Sequence, residues 1–228
     1  EQLDFATILY HKGLYKQSLK ILDKAKSLAI ANEEKNIAYE IVELEKVIES
    51  QYITRSISSR ADELTIQAKE LSQQNVLASK LSNLSLQLYG LFLKTGYVKN
   101  DKENKRITKY FNDRLPKYNI NTLGFREKLW LYKAYLWYSF LTQDFLACYK
   151  YASKWVTLFY DNQDQIVLNP VFFLKGNHYL LESLFFLRHY EKFKTTLNDL
   201  ETITKESWFP LDDNVEGLAF LYVYNNKF

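Results

Sequence analysis

Residues 5–29 (FATILYHKGLYKQSLKILDKAKSLA) contain the pattern that most constrains the fold of this chain. A helical periodicity runs from Leu3 to Lys12, breaks at Gly13, and resumes from Lys16 to Ala29. The pattern predicts two antiparallel helices joined by a tight turn, in which Gly13 takes the left-handed conformation that ends a helix. Because one hairpin cannot bury its own apolar face, we expect further copies to pack against it.

Partial copies of this hairpin recur along the chain. Residues 24–32 (KAKSLAIAN) align with residues 67–75 (QAKELSQQN) at an offset of 43 residues. The spacing of Tyr15, Ser18, Leu22 and Ala25 returns in two later sets that lie 45 residues apart. These sets are Phe145, Cys148, Ala152 and Trp155, and then Tyr190, Phe193, Leu197 and Leu200. A weaker copy lies between residues 76 and 117, so the sequence predicts repeats with a period near 44 residues.

The turn and second helix of the first copy, with Gly13, Tyr15, Ser18, Leu22 and Ala25, resemble a tetratricopeptide repeat. The resemblance implies an all-α fold, a right-handed α-solenoid of antiparallel helical hairpins. The first helix of each copy departs from the tetratricopeptide pattern, and a period near 44 exceeds the usual 34 residues or so. A HEAT-like solenoid is therefore the alternative. The abundance of lysine, asparagine and tyrosine favours a bacterial source.

We expect a single array over residues 1–228, made of five hairpins and a final helix. The predicted hairpins span residues 3–31, 33–74, 76–117, 123–162 and 169–206, and the final helix spans residues 213–225. Helix starts are predicted at Ser59, Asn100 and Asn169, where capping residues precede apolar runs. Because the chain starts at Glu1 and contains no methionine, we expect a fragment of a longer protein.

Composition narrows the functional class. The 30 basic and 27 acidic residues give a net charge of only +3, so neither nucleic acid nor a membrane surface is an expected partner. One cysteine excludes an intrachain disulfide and fits a cytoplasmic location. The motifs of metalloproteases, P-loop enzymes and dinucleotide-binding enzymes are missing from the sequence. We therefore expect no enzymatic activity, no cofactor and no metal site.

The segment 129–141 (LWLYKAYLWYSFL) is apolar on every side, which is typical of a buried helix. In tetratricopeptide arrays the first helix of each repeat lines the concave surface, so the resemblance implies a peptide-binding groove there. Its predicted members are Trp130, Lys133, Trp137 and Phe140, followed in the next repeat by Lys175, His178 and Glu182. The matching positions also include Phe185 in that next repeat, and Asn83, Leu86 and Lys94 in the preceding one. The alternative is that these rings only form core.

Three functions remain open at this stage. The leading hypothesis is an interaction scaffold that binds a peptide or a helix of another protein; a homo-oligomer is also compatible with the sequence. The second is the ligand- or peptide-sensing array of a bacterial signalling or transcription protein. The third is nucleic-acid binding through a basic helix, and its candidate anion patch is Lys102, Lys105, Arg106 and Lys109.

Overall fold

The computed structural model describes residues 1–51, 57–210 and 212–225. Within these ranges the chain is all-helical and contains no strand, which confirms the predicted all-α class. The helices are α1 (Gln2–His11), α2 (Tyr15–Ala31), α3 (Lys35–Gln51), α4 (Ile57–Thr95), α5 (Asp101–Arg114), α6 (Phe125–Leu141), α7 (Phe145–Tyr160), α8 (Asp164–Leu168), α9 (Pro170–Phe186), α10 (Tyr190–Thr204) and α11 (Asp213–Asn225), with a 3-10 turn at Ile120–Thr122.

The residues form two compact units, residues 1–79 and residues 80–228. The border between them falls inside α4. The single continuous array stays a prediction. None of the described helices is both long enough and apolar enough to cross a membrane.

Four helices end in the same turn. Gly13, Glu33, Gln143 and Arg188 each take a positive φ, between 58° and 73°. The next residue then donates its backbone N–H to a carbonyl five positions back, as in Asp144 to Ser139 and His189 to Leu184. The left-handed Gly13 is thereby confirmed, and α9 ends at Phe186, three residues before the end predicted near His189.

Most of the repeated positions of the sequence pattern are buried, whereas Tyr15, Phe145 and Phe193 are half-buried and Tyr190 is 52% exposed. Ser18 and Cys148, which share one place in the pattern, are both fully buried, and so are Leu22 and Ala152. The Ser18 hydroxyl donates to the Ala6 carbonyl at 2.8 Å, so the small residue lets α2 approach the backbone of α1 closely. The pattern therefore identified real packing positions in the hairpins α1–α2 and α6–α7.

One predicted boundary is wrong. The sequence alignment placed a break between the second and third hairpins near Asn75, but α4 runs without interruption from Ile57 to Thr95. Neither glycine nor proline lies near this point, and Asn75 remains helical while its side chain donates to the Lys35 carbonyl at 3.3 Å. The predicted start at Ser59 also lies inside α4, and residues 52–56 of the predicted turn lie outside the described residues.

The other predicted helices lie close to their expected positions. α5 begins after Asn100, whose side chain accepts a hydrogen bond from the Glu103 backbone at 2.9 Å, and Glu103 accepts one from the Lys99 backbone at 2.9 Å. Pro170 occupies the first turn of α9, as predicted. The Asn169 side chain, however, makes no capping bond and donates to Gln165 at 3.0 Å.

In the first unit, α2, α3 and the start of α4 meet around a buried group of charges. Glu45 is fully buried, and its carboxylate accepts from Lys26 at 2.5 Å and lies 3.3 Å from the Arg60 guanidinium. Arg60 also lies 3.6 Å from Asp23 and 3.3 Å from Glu63. Burial raises the pKa of Glu45, while Lys26 and Arg60 oppose that rise.

The second unit is organised around α6, of whose 17 residues ten are buried. α6 packs on α7, and α7 packs in turn on α9. Gly176 of α9 lies directly against the Trp155 indole of α7. These three helices, with α4, place the aromatic side chains of the candidate site.

Candidate functional site

A cavity of about 400 Å³ lies among α4, α6, α7 and α9 of the second unit. We call it the tryptophan cavity, because Trp130, Trp137 and Trp155 supply much of its wall. Its lining is Ser82, Asn83, Ser85, Leu86 and Tyr89 from α4, Trp130, Lys133 and Trp137 from α6, Trp155 from α7, and Lys175 and Tyr179 from α9. A cavity of this size is within the range that holds small ligands or single side chains of a peptide.

Lys133 projects into an aromatic cage at the cavity wall. Its ammonium nitrogen lies 4.2 Å from the centre of the Trp130 ring, 4.6 Å from that of Phe172 and 5.5 Å from that of Trp155. Trp130 and Phe172 meet edge to face, with ring centres 5.7 Å apart. The rings hold the side chain in place through cation–π contacts.

The cavity is electropositive. Lys133 and Lys175 both line it, and its lining includes no aspartate or glutamate among the described residues. In the part of the chain that the structure describes, neither lysine has a carboxylate within ion-pair distance. Burial, with a smaller contribution from the charge of Lys175, lowers the pKa of Lys133 to about 8. Two uncompensated cations beside apolar walls favour the entry of an anion.

Four of the seven residues predicted for the groove line this cavity: Trp130, Lys133, Trp137 and Lys175. Of the matching positions, Asn83 and Leu86 of the preceding repeat line it as well, whereas Lys94 and Phe185 do not. Side chains that the resemblance to tetratricopeptide repeats places in one groove therefore come from three different helices, α4, α6 and α9. Trp137 is only 6% exposed and packs on Tyr89 and Tyr179, so it is both wall and core.

The other three predicted residues lie outside the cavity. Phe140 is 1% exposed and packs against Phe92 and Tyr179, as the alternative of a core aromatic predicts. His178 stacks on Tyr222, with ring centres 4.6 Å apart, and burial lowers its pKa. Glu182 is half-buried, and burial raises the pKa of its carboxyl group.

Sequence reasoning missed Trp155, Tyr89 and Tyr179 as wall residues. Trp155 occupies the place that Ala25 has in the first copy, so it was read only as a packing position. A tryptophan at a position for a small side chain needs compensating space on a neighbouring helix. Gly176 provides that space, and its presence in an otherwise large-residue helix was the available signal.

The basic residues of α5 form a different kind of surface. Lys102, Lys105, Arg106 and Lys109 are all exposed. Lys105 and Lys109 border a surface depression of about 410 Å³ that Asp113 also lines. Solvated lysines with an acid in the same depression make a weaker anion site than the two half-buried lysines of the tryptophan cavity.

The Cys148 thiol and the potential metal ligands were the remaining candidates for a reactive site. Cys148 is fully buried, and burial raises the pKa of its thiol, which disfavours the nucleophilic thiolate. Among the described residues, no three histidine, cysteine, aspartate or glutamate side chains are grouped as a metal ion would require.

Compared with known proteins, the chain matches no protein-family model, no curated protein and no solved structure at a significant level. The resemblance to tetratricopeptide repeats accordingly stays a prediction from the sequence pattern.

Proposed function

We propose that this chain is a non-enzymatic binding protein whose tryptophan cavity takes up an acidic side chain or terminus from a segment of a partner protein. The observation that carries the proposal is the lining of the cavity, in which the described residues include three tryptophans and two lysines but no acidic side chain. Aromatic walls provide contact area with little loss of side-chain entropy, and the lysines would fix the register of the bound segment.

The repeated hairpins support this proposal. The pairs α1–α2, α6–α7 and α9–α10 share one turn geometry, and the last two lie 45 residues apart in sequence. We propose that they are units of a tetratricopeptide-like, right-handed solenoid with a period near 44 residues, HEAT-like packing being the alternative. A cytoplasmic location is part of the same proposal, because the one cysteine is a buried free thiol.

A selection of displayed peptides on the full chain would test the binding function. We expect the enriched peptides to carry aspartate or glutamate next to apolar residues. Leu86 lies at the cavity and is 68% exposed, so Leu86→Asp places a competing carboxylate there at little cost in folding. Leu93 is the matched control, since it lies on the same helix, is 65% exposed and does not line the cavity.

The proposal requires that Leu86→Asp weakens the selected peptides by at least about tenfold, or about 1.4 kcal/mol, and that Leu93→Asp leaves their affinity unchanged. If the peptides bind the wild type, Leu86→Asp and Leu93→Asp equally, the binding surface lies outside the tryptophan cavity. If those peptides instead lose affinity in a protein with Lys105→Ser and Lys109→Ser, the basic face of α5 is the binding surface.

A sensing array is the second candidate, and the volume of the cavity favours it. About 400 Å³ suits a free small molecule as well as one side chain of a peptide. A small carboxylic acid that raises the thermal midpoint of the wild-type protein, but not of Leu86→Asp, would support this function. If no such acid raises the thermal midpoint while the peptide selection succeeds, the sensing function is rejected.

A further inference from the structure

Lys133 has surroundings that differ from those of the exposed lysines in the same unit. It is half-buried at the wall of a cavity, between the Trp130 and Phe172 rings, and a second cation lines the same cavity. Lys150 and Lys154 also contact aromatic rings, at 5.5 Å and 5.9 Å, but both are exposed to solvent. A comparison of Lys133 with Lys150 and Lys154 therefore separates the effect of an aromatic contact on amine reactivity from the effect of the cavity.

We propose that Lys133 is a modification site, at which a small anionic aldehyde enters the tryptophan cavity and forms an imine with the side-chain amine. The nitrogen lone pair attacks the carbonyl carbon, the carbonyl π electrons move to oxygen, and the proton lost from nitrogen is taken up by that oxygen. The resulting carbinolamine loses water to give the imine. Amine and aldehyde thus yield imine and water, and no further reactant is needed.

The cavity favours each requirement of this reaction. The nucleophile is the neutral amine, and a lysine becomes one most readily when it is desolvated or lies beside another cation. Lys175 supplies that second cation, and its charge also attracts the carboxylate of the aldehyde. The aromatic walls provide a surface for a planar ring. The other titratable groups that line the cavity are the phenols of Tyr89 and Tyr179.

The lowered pKa sets the expected rate. With a pKa of about 8, about 10% of Lys133 is neutral at pH 7, whereas an amine that titrates near 10.4 is only about 0.04% neutral. This difference of about 200-fold is reduced by the lower nucleophilicity of a weaker base and by entry into the cavity. The cation–π contacts with Trp130 and Phe172 reduce it further, because they stabilise the ammonium form. We therefore expect Lys133 to react at least about tenfold faster than Lys150 and Lys154 at pH 7.

The experiment uses the full chain, 4-carboxybenzaldehyde and cyanoborohydride, which reduces the imine to a stable amine. Mass spectrometry of the digested protein then gives a labelling rate for each lysine, so Lys133, Lys150 and Lys154 compete within one sample. The Lys133 rate is expected to level off above about pH 8. Equal rates at the three lysines in the folded protein would overturn the proposal, and so would a Lys133 preference that survives unfolding in urea.

The choice of an anionic ligand is tested separately. Benzaldehyde has the same ring without the carboxylate, and we expect it to label Lys133 more slowly than 4-carboxybenzaldehyde does. In Lys175→Gln, the difference between the rates at which the two aldehydes label Lys133 should be smaller than in the wild type. Equal labelling of wild-type Lys133 by both aldehydes would refute the anionic class. Since imine formation does not require peptide binding, its success or failure is independent of the peptide selection.

Discussion

The Trp155 indole lies directly against Gly176: a Cβ added at Gly176 would lie 2.9 Å from both Cδ1 and Nε1 of that ring. Real Cβ atoms do not approach other heavy atoms so closely. Trp155 is fully buried, and Gly176 leaves the room that this ring occupies between α7 and α9. The missing side chain of one helix thus fixes the position of a ring that forms one wall of the tryptophan cavity.

Gly176→Ala is expected to destabilise the second unit by about 1–3 kcal/mol, because the new methyl group overpacks the contact between α7 and α9. Gly90→Ala is the matched control. It lies in α4 with no heavy atom within 4 Å of its added Cβ, and the better helix propensity of alanine makes it neutral or stabilising by up to about 1 kcal/mol. Urea unfolding followed by tryptophan fluorescence measures both, since all four tryptophans lie in this unit. Equal stability of the two variants would contradict the close contact.

The stability of the second unit should depend on pH through Lys133. Its pKa is about 8 in the folded chain and near 10.5 in the unfolded chain, so the unfolded chain holds more protons between these values. The free energy of unfolding of the wild type should therefore rise, relative to Lys133→Met, by about 1 kcal/mol or more from pH 8 to pH 10.5. Lys154→Met, at an exposed position, serves as the control. A constant difference between wild type and Lys133→Met over this range would show that the amine is not desolvated.

Arg60→Ala should destabilise the first unit by about 2 kcal/mol or more. The change leaves the fully buried Glu45 carboxylate with Lys26 as its remaining cation, and an undercompensated buried charge is costly. Lys46→Ala removes the exposed pair with Glu43, where we expect a loss of less than about 1 kcal/mol. Hydrogen exchange of the α2 and α3 amides reports on this unit, and similar protection in both variants would refute the importance of the buried charges.

The shared turn geometry predicts a stabilising substitution. Arg188 takes φ = 59° with an exposed side chain, so Arg188→Gly should relieve strain and stabilise the second unit by up to about 1 kcal/mol. Gln143 has φ = 58°, but its side chain donates to the Val98 carbonyl at 2.8 Å, so Gln143→Gly should gain less or nothing. The thermal midpoint should rise by about 2–4 °C for Arg188→Gly, and a decrease would show that the turn is not strained.

Sequence periodicity was sufficient for the all-α class and for three of the helical hairpins. The hairpins α1–α2, α6–α7 and α9–α10 follow from apolar spacing together with a turn signal, because both are local properties of the chain. The predicted break near Asn75 was wrong because it rests on the alignment of residues 24–32 with residues 67–75, and the sequence around Asn75 contains no residue that would end a helix. The left-handed residues Glu33, Gln143 and Arg188 carry no glycine signal, since the packing of the hairpins imposes their conformation.

The sequence by itself determined the all-α class, the buried character of α6 and the common face of Trp130, Lys133 and Trp137, because helical spacing fixes which side chains share a face. Only the tertiary structure decided that Phe140 is core, that Trp155 is a wall, and that Lys133 and Lys175 have no carboxylate partner among the described residues. Those facts depend on where α7 and α9 approach α6. That approach is set by the volumes of side chains distant in sequence, such as the missing side chain of Gly176, and not by any local pattern.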